Sequence, residues 1–396
     1  MLFWLRWILA VLFIAHVVTV QAKTIENKIS VAIGVENYNF QPIFDQFTKQ
    51  TGIKVEILGF ENNELKSQLL QKATSSSLPD AVIVPSDFLG LESLDFSTIP
   101  DEWLSSELNR DAVASAKHNG EIKGVPFIFG NHLLLYYHKK WVKQPPKNWH
   151  EIMALRSSIP INIDLLAWNY FEMYWFAAFY NAHNSPLLKN SQANLNTKEM
   201  VQSIKKYKQL RESVNLDRDC DYTCMVNKFE NGKVAMAING SWIFKQWITN
   251  KSGEIGVVQL PNIDGMPMRS FYSPHVVAFP NNRINSTQHA KLKALSVFIQ
   301  SKAVQLQAWN QLSTLPVRQD ALDNLAMKEN SLKLLISGLE HSKPLPNDMA
   351  MAYIWEAMLK GITRFESGIM NAEQAANYMQ YIADKSIEHA SQKYSD

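Results

Sequence analysis

Apolar residues recur along the chain with two different periods. Ile29 to Val35 reads as a short strand, ending in the loop Glu36-Asn37-Tyr38-Asn39. Phe40, Ile43, Phe44 and Phe47 then fall on one helical face, which Thr51-Gly52 closes. Ile53, Val55 and Ile57 alternate as a second strand. A polar helix to about Lys72 leads through Leu78-Pro79-Asp80 into Ala81-Val82-Ile83-Val84. That short unbroken apolar run is typical of a strand buried on both faces. Strand, helix, strand, helix, strand predicts a parallel sheet with crossover connections.

From Gly120 the pattern changes. Gly124 to Phe127 and Leu133 to Tyr137 read as two strands around Gly130-Asn131-His132, and Pro145 to Trp149 opens a helix. An aromatic-rich helical stretch follows from Trp168 to Tyr180. Val276 to Phe279 is another strand, with Leu292, Leu295, Phe298 and Ile299 marking a helix near it. Breaks near 130, 279 and 315 predict a chain that passes more than once between two lobes. The expected lobes are residues 23–130 with 280–314, and 131–279 with 315–396. Each is expected to hold a mostly parallel sheet flanked by helices, giving an α/β fold.

One stretch carries a chemical signal. In Asn231 to Phe244, Val234, Met236 and Ile238 alternate on one strand face, and a glycine-containing turn then opens a helix with Ser241 as N-cap. Trp242 therefore stands at the helix start, just past a strand's carboxyl end. Open α/β sheets present ligand contacts at that point.

The amino terminus reads as an export signal. Arg6 precedes an apolar run from Trp7 to Val20, and Val20-Gln21-Ala22 offers small residues for cleavage after residue 22. The run is short for a membrane anchor and His16 interrupts it. No cysteine lies near the cleavage point to carry a lipid. Removing the leader takes Arg6 from a chain of formal charge +2 and leaves about +1, which gives no nucleic-acid or anionic-membrane surface. The remaining length predicts about two domains. Nine of the 11 tryptophans lie beyond the leader, and so many indoles in a nearly neutral exported chain suit a carbohydrate site.

Cys220 and Cys224 are the only cysteines. Export favours a local disulfide, closed across irregular backbone because four residues of one helix fit that geometry poorly. A zinc half-site is the rival, but no histidine or second thiol pair accompanies it. There is no G-x-S-x-G elbow, no H-E-x-x-H and no phosphate-binding glycine loop, and no cofactor is expected.

Five stretches, taken in order, resemble one family. They are Phe47 to Val55, Pro79 to Val84, Leu135 to Lys139 with Pro146 to Trp149, Asn231 to Trp242, and Pro346 to Gly368. The chain is similar to the family 1 extracellular solute-binding proteins of ABC importers, most closely to those of the maltose-binding type. The resemblance implies the two-lobed periplasmic-binding-protein fold, with a ligand between lobes that close on a hinge. It implies a monomer in the periplasm, a sugar ligand and a membrane permease as partner.

The same resemblance assigns site residues. Trp242 and Trp355 match positions where aromatic faces stack on sugar rings, although a helical Trp355 also suits a core. Tyr170 matches another ring-packing position. Trp168 stands where the family's maltose binders carry an acidic sugar ligand, and one of this pair is expected to face the cleft. Asp87 matches a carboxylate that accepts sugar hydroxyls, with a capping or turn aspartate as its alternative. Asn131 stands where a glutamate is found. Glu36 falls in a loop that often supplies a polar contact, with a solvated acid as the simpler reading.

Phe88 and Leu359 replace arginines of the maltose binders, and Val84 replaces a tryptophan. The aromatic platform matches better than the polar contacts, so a carbohydrate is expected but not maltose in particular. Three alternatives stay open: a binding protein for a polyamine or organic anion, an exported carbohydrate-active enzyme with two cleft carboxylates, and a sensory binding protein.

Overall fold

Alternation along Lys28–Gly34 (β1) sends Ile29, Val31 and Ile33 to one face and Ala32 to the other, and both faces are covered. The same holds along Ala81–Pro85 (β3), where Ala81 and Ile83 enter one apolar cluster and Val82 and Val84 the other. Strands of this composition stay put only when helices cover both sides of their sheet. A computed structural model shows that arrangement and describes residues 27–34, 39–60, 62–75, 77–249, 253–312, 314–328 and 330–393. The signal reading, which concerns residues 1–22, and Glu36 both lie outside the described residues.

The first sheet has six strands. Lys54–Phe60 (β2), β1 and β3 run parallel, with β1 in the middle of the three. The strand β2 is the edge, and Val55 and Ile57 are accordingly half-buried. Beyond β3 come His275–Ala278, then Val125–Phe129 (β4), then Leu315–Pro316. Each of those pairings is antiparallel, so β4 runs the same way as β1 to β3. Gln41–Thr51 (α1) and the helices His289–Ile299 and Lys302–Leu312 pack on one face. Asn62–Thr74 (α2) covers the other through Leu65 and Leu69.

The second sheet contains Leu133–His138 (β5), Asp164–Ala167 (β6), Val234–Gly240 (β7) and Ile255–Val258 (β8), in the order β8-β5-β7-β6. The strand β7 is parallel to β6, and β5 runs against both of its neighbours. All seven residues of β7 are buried, so the alternation of Val234, Met236 and Ile238 does not mark a solvent face. Around this sheet lie Met173–Tyr180 (α3), Lys198–Ser213 (α4), Tyr222–Glu230 (α5), Ala350–Glu366 (α6) and Ala372–Lys393 (α7). The predicted helix from Trp168 starts only at Met173, because Glu172 caps it by accepting from the Tyr174 N–H at 3.3 Å.

The chain changes sheet between Phe129 and Leu133, between Val258 and His275, and after Pro316. The second passage lies upstream of the break read near 279. His275–Ala278 is a strand of the first sheet (β9), with Val277 in one of its apolar clusters and Val276 and Ala278 in the other. Leu315–Pro316 (β10) likewise closes the first sheet against β4, so the third passage follows 316 rather than 314. Gly130 at φ 132° and Asn131 at φ 61° make the sharp turn of the first passage. The passages are tied together, since the Ser273 N–H donates to the Gly130 carbonyl at 3.2 Å.

Cys220 and Cys224 form a disulfide with Cα atoms 5.2 Å apart. Irregular backbone is present at Cys220 and at the extended Asp221, and gives way to helix at Tyr222. Cys220 lies in a loop, but Cys224 is already in the first turn of α5, with Asp221 as N-cap between them. The zinc alternative falls with the bridge. Among the described residues no cluster of three metal-ligating side chains occurs, and no helix is long and apolar enough to cross a membrane.

Candidate functional site

The two sheets turn the same kind of edge toward one another. Gly34 ends β1, Asp87 follows β3, Asn131 follows β4, Asn169 and Glu172 follow β6, and Trp242 follows β7. His275 begins the reversed strand β9 and so stands at the same edge. These residues line one cavity of about 520 Å³ between the lobes. Strand carboxyl ends present unsatisfied backbone groups and loops free to vary, which places ligands of open α/β sheets there.

Asp87 lies in the turn Ser86–Gly90, and its Oδ1 is shielded from solvent without a hydrogen-bond partner among the described residues. Burial pushes its carboxyl pKa up, opposed first by Lys66 and then by its own backbone N–H. The same burial pushes the Lys66 ammonium down, and Asp87 pulls it back. An acceptor left open in a cavity costs free energy until a donor arrives. Phe40 and Phe88 add apolar faces from the first lobe.

The second lobe contributes an aromatic wall. Trp242 is half-buried, and its indole N–H donates to the Tyr222 hydroxyl at 2.8 Å. Trp175 stands edge-on to it with ring centroids 6.0 Å apart, and is itself fixed by donating to the Ile238 carbonyl at 2.8 Å. Trp355, on α6, is half-buried against Phe271 at 6.1 Å and Tyr174 at 6.3 Å. The indole of Trp242 folds back over Gly240, where a Cβ would sit about 2.0 Å from the ring. No other residue fits there. The turn after β7 departs from the sequence reading: Ser241–Ile243 is a 3-10 turn and Ser241 makes no side-chain cap.

Asn131 lines the cavity but its side chain serves the crossing. Its Nδ2 lies 3.3 Å from the Ser273 carbonyl and 3.4 Å from Nδ1 of His275. The Tyr174 hydroxyl lies 2.8 Å from both the Asn131 and the Phe271 carbonyls and shares its proton between them. Burial holds His275 down to about 4, so it presents a neutral ring at neutral pH. Glu172 is exposed at the rim, where partial desolvation raises its carboxyl pKa.

Trp168 and Tyr170 do not line the cavity. Trp168 is fully buried and donates to the Tyr207 hydroxyl at 2.9 Å, and Tyr170 stacks on Tyr207 at 4.5 Å. The expectation that one of them faces the cleft is corrected: both belong to the aromatic core under α4. Asp87, Asn131, Trp242 and Trp355 line the same cavity. Sequence reading missed Tyr174, Trp175 and Tyr222. Tyr222 had a usable signal, as an aromatic enclosed by the two cysteines.

Two α/β lobes with a deep aromatic cleft at their facing strand ends, joined by repeated passages, define a solute-binding protein. The chain belongs to the bacterial extracellular solute-binding proteins, whose family model matches residues 43–333. Two curated relatives, from Streptococcus pneumoniae strains R6 and TIGR4, are maltooligosaccharide ABC transporter solute-binding lipoproteins. Each is 21% identical over 365 residues, spanning 87% of this chain and 84% of the relative. Among solved structures, the maltose/maltodextrin-binding domain from Bdellovibrio bacteriovorus bound to maltotriose superposes with a TM-score of 0.80. It is 24% identical and covers 91% of this chain and 100% of its own, a likeness of fold.

Proposed function

We propose that the chain is the periplasmic receptor of an ABC importer, that it binds a short oligosaccharide between its lobes, and that the closed form delivers it to the permease. The observation that carries this reading is the pairing of two half-buried indoles, Trp242 and Trp355, with an Asp87 oxygen that has no hydrogen-bond partner among the described residues, all in one cavity. A pyranose offers an apolar C–H face to an indole and hydroxyl donors to a carboxylate. The cavity volume of about 520 Å³ falls within the range of small-molecule sites. The ligands in the relatives' names, maltooligosaccharides and maltotriose, agree with this class.

Among the described residues the lining contains Asp87 and Glu172 and neither lysine nor arginine, which disfavours an organic anion. The same pair supports a second reading, an amine-bearing solute. Residues 1–22 are proposed as a leader removed on export, and the mature chain as a monomer that binds without consuming its ligand.

A thermal-shift and calorimetric panel of maltose, maltotriose, single hexoses, spermidine and amino acids tests the reading. A ligand at 100 times its dissociation constant should stabilise the folded state by about 2.7 kcal/mol. Stabilisation by spermidine and by no sugar would move the proposal to the second reading. Appearance of a hydrolysed product would replace it with the enzyme.

A further inference from the structure

We infer that the Cys220–Cys224 disulfide positions the binding wall: it clamps Tyr222, which in turn fixes the indole of Trp242. The inference rests on the cleft being the ligand site.

Tyr222 lies inside the loop that the bridge closes and is the first residue of α5. Helix first turns fray, because their N–H groups lack intrahelical partners. A tyrosine at that position would ordinarily hold its hydroxyl poorly. Here two restraints act on the turn. Asp221 accepts from the Cys224 N–H at 2.9 Å, and the bridge fastens Cys224 to Cys220, which is 3% exposed in the second-lobe core. Tyr222 is thereby held on both flanks.

Its hydroxyl then accepts the Trp242 indole N–H at 2.8 Å, while its ring packs 6.3 Å from Trp175. The far end of the same helix is tied to the same segment, since Glu230 accepts from the Trp247 indole N–H at 2.9 Å. So α5 spans the turn after β7 and holds it at two points. The bridged end is the one that reaches the cleft. A half-buried indole with a free N–H could rotate about its side-chain torsions, whereas a hydrogen-bonded one presents a fixed face. Pre-organising an aromatic face lowers the ordering cost of binding.

The test uses the mature chain, a Cys220→Ser/Cys224→Ser double variant and Tyr222→Phe. Two readouts are taken well below the unfolding temperature: the Trp242 indole N–H resonance without ligand, identified by its loss in Trp242→Phe, and calorimetric affinity for maltotriose. Both variants should shift that resonance and weaken maltotriose binding by about tenfold, the loss of roughly one hydrogen bond's worth of pre-organisation. Should the double variant fail to fold, reducing the folded wild type with a dithiol reaches the same state. The disulfide takes two electrons and two protons, and the dithiol closes into its own disulfide.

An unmoved Trp242 resonance on loss of the bridge overturns the inference and leaves the bridge a stability staple alone. So does a shifted resonance with unchanged maltotriose affinity. If the wild type does not bind maltotriose, the oligosaccharide reading is weakened, and the ligand-free resonance still decides whether the bridge positions Trp242.

Discussion

Tyr170 donates its hydroxyl to Oε1 of Glu366 at 2.6 Å, across 196 residues of chain. The Glu366 side chain is 1% exposed, and Arg211 reaches its other oxygen at 3.2 Å. Burial and then Glu366 raise the Tyr170 pKa far above that of an ordinary phenol, so the hydroxyl stays a donor. This bond fastens the carboxyl end of α6 to the aromatic core, and α6 carries Trp355 on its first turns.

Tyr170→Phe should therefore destabilise the fold by about 1–3 kcal/mol, the cost of leaving a buried charged acceptor short of a donor. Ligand affinity should stay within about twofold, because the ring does not line the cavity. A urea titration alongside calorimetry reads both. A large affinity loss at unchanged stability would return Tyr170 to the site.

Tyr170 also shows where sequence stops being informative. The pattern Trp168-Asn169-Tyr170-Phe171 marks an aromatic segment near a strand end, and the segment is there. Which side chain turns to the cleft depends on Tyr207 and Glu366, residues 37 and 196 positions away. Trp242 was legible because its position is fixed locally, by a strand end and by Gly240, which leaves room for the indole to fold over it. Elements with a strong local pattern, the periodic face of α1 and the unbroken apolar run of β3, were legible for the same local reason. The strand β9 belongs to the first sheet through pairing with β3 and β4, which no local pattern records.

Asp87 lines the cavity, and its removal should separate stability from ligand affinity. Its carboxylate is desolvated with an open acceptor, a cost carried by the ligand-free protein. Asp87→Asn removes that charge while keeping the shape. The unfolding midpoint should hold or rise, and affinity for a bound sugar should fall by about 1.5–3 kcal/mol, the worth of a hydrogen bond to a charged group. Unfolding curves and titrations of the same preparations decide it, and an unchanged affinity would make Asp87 a turn residue only.

His132 sets a pH dependence. It is 0% exposed, and burial lowers its pKa from an ordinary 6.5 to about 4. The unfolded chain therefore takes up a proton at higher pH than the native state. The stability this contributes is full above about pH 6.5 and is lost as pH falls toward about 4, on the order of 3 kcal/mol in all. The urea midpoint should decline across that window; His275, held down to about 4 by the same burial, contributes alongside, so His132→Leu should reduce the decline by about half. A midpoint constant from pH 7 to 4.5 would contradict the burial argument.

Closure is the last consequence. Asp87 comes from the first lobe and Trp242 and Trp355 from the second, so a ligand touching all three binds one interlobe angle better than others. Differential affinity of that kind is what shifts a population toward a closed form. The three passages, near Gly130, between Val258 and His275, and after Pro316, are the places available to absorb the rotation. The scattering-derived radius of gyration should fall when a bound sugar saturates the protein. Trp242→Ala should weaken binding by at least ~1 kcal/mol, because truncating a central aromatic anchor typically costs that much. At saturating ligand the variant should still close if Asp87 and Trp355 supply enough of the difference, and should stay open if Trp242 dominates it. A radius unchanged in the wild type at saturation would mean that binding occurs on one lobe alone.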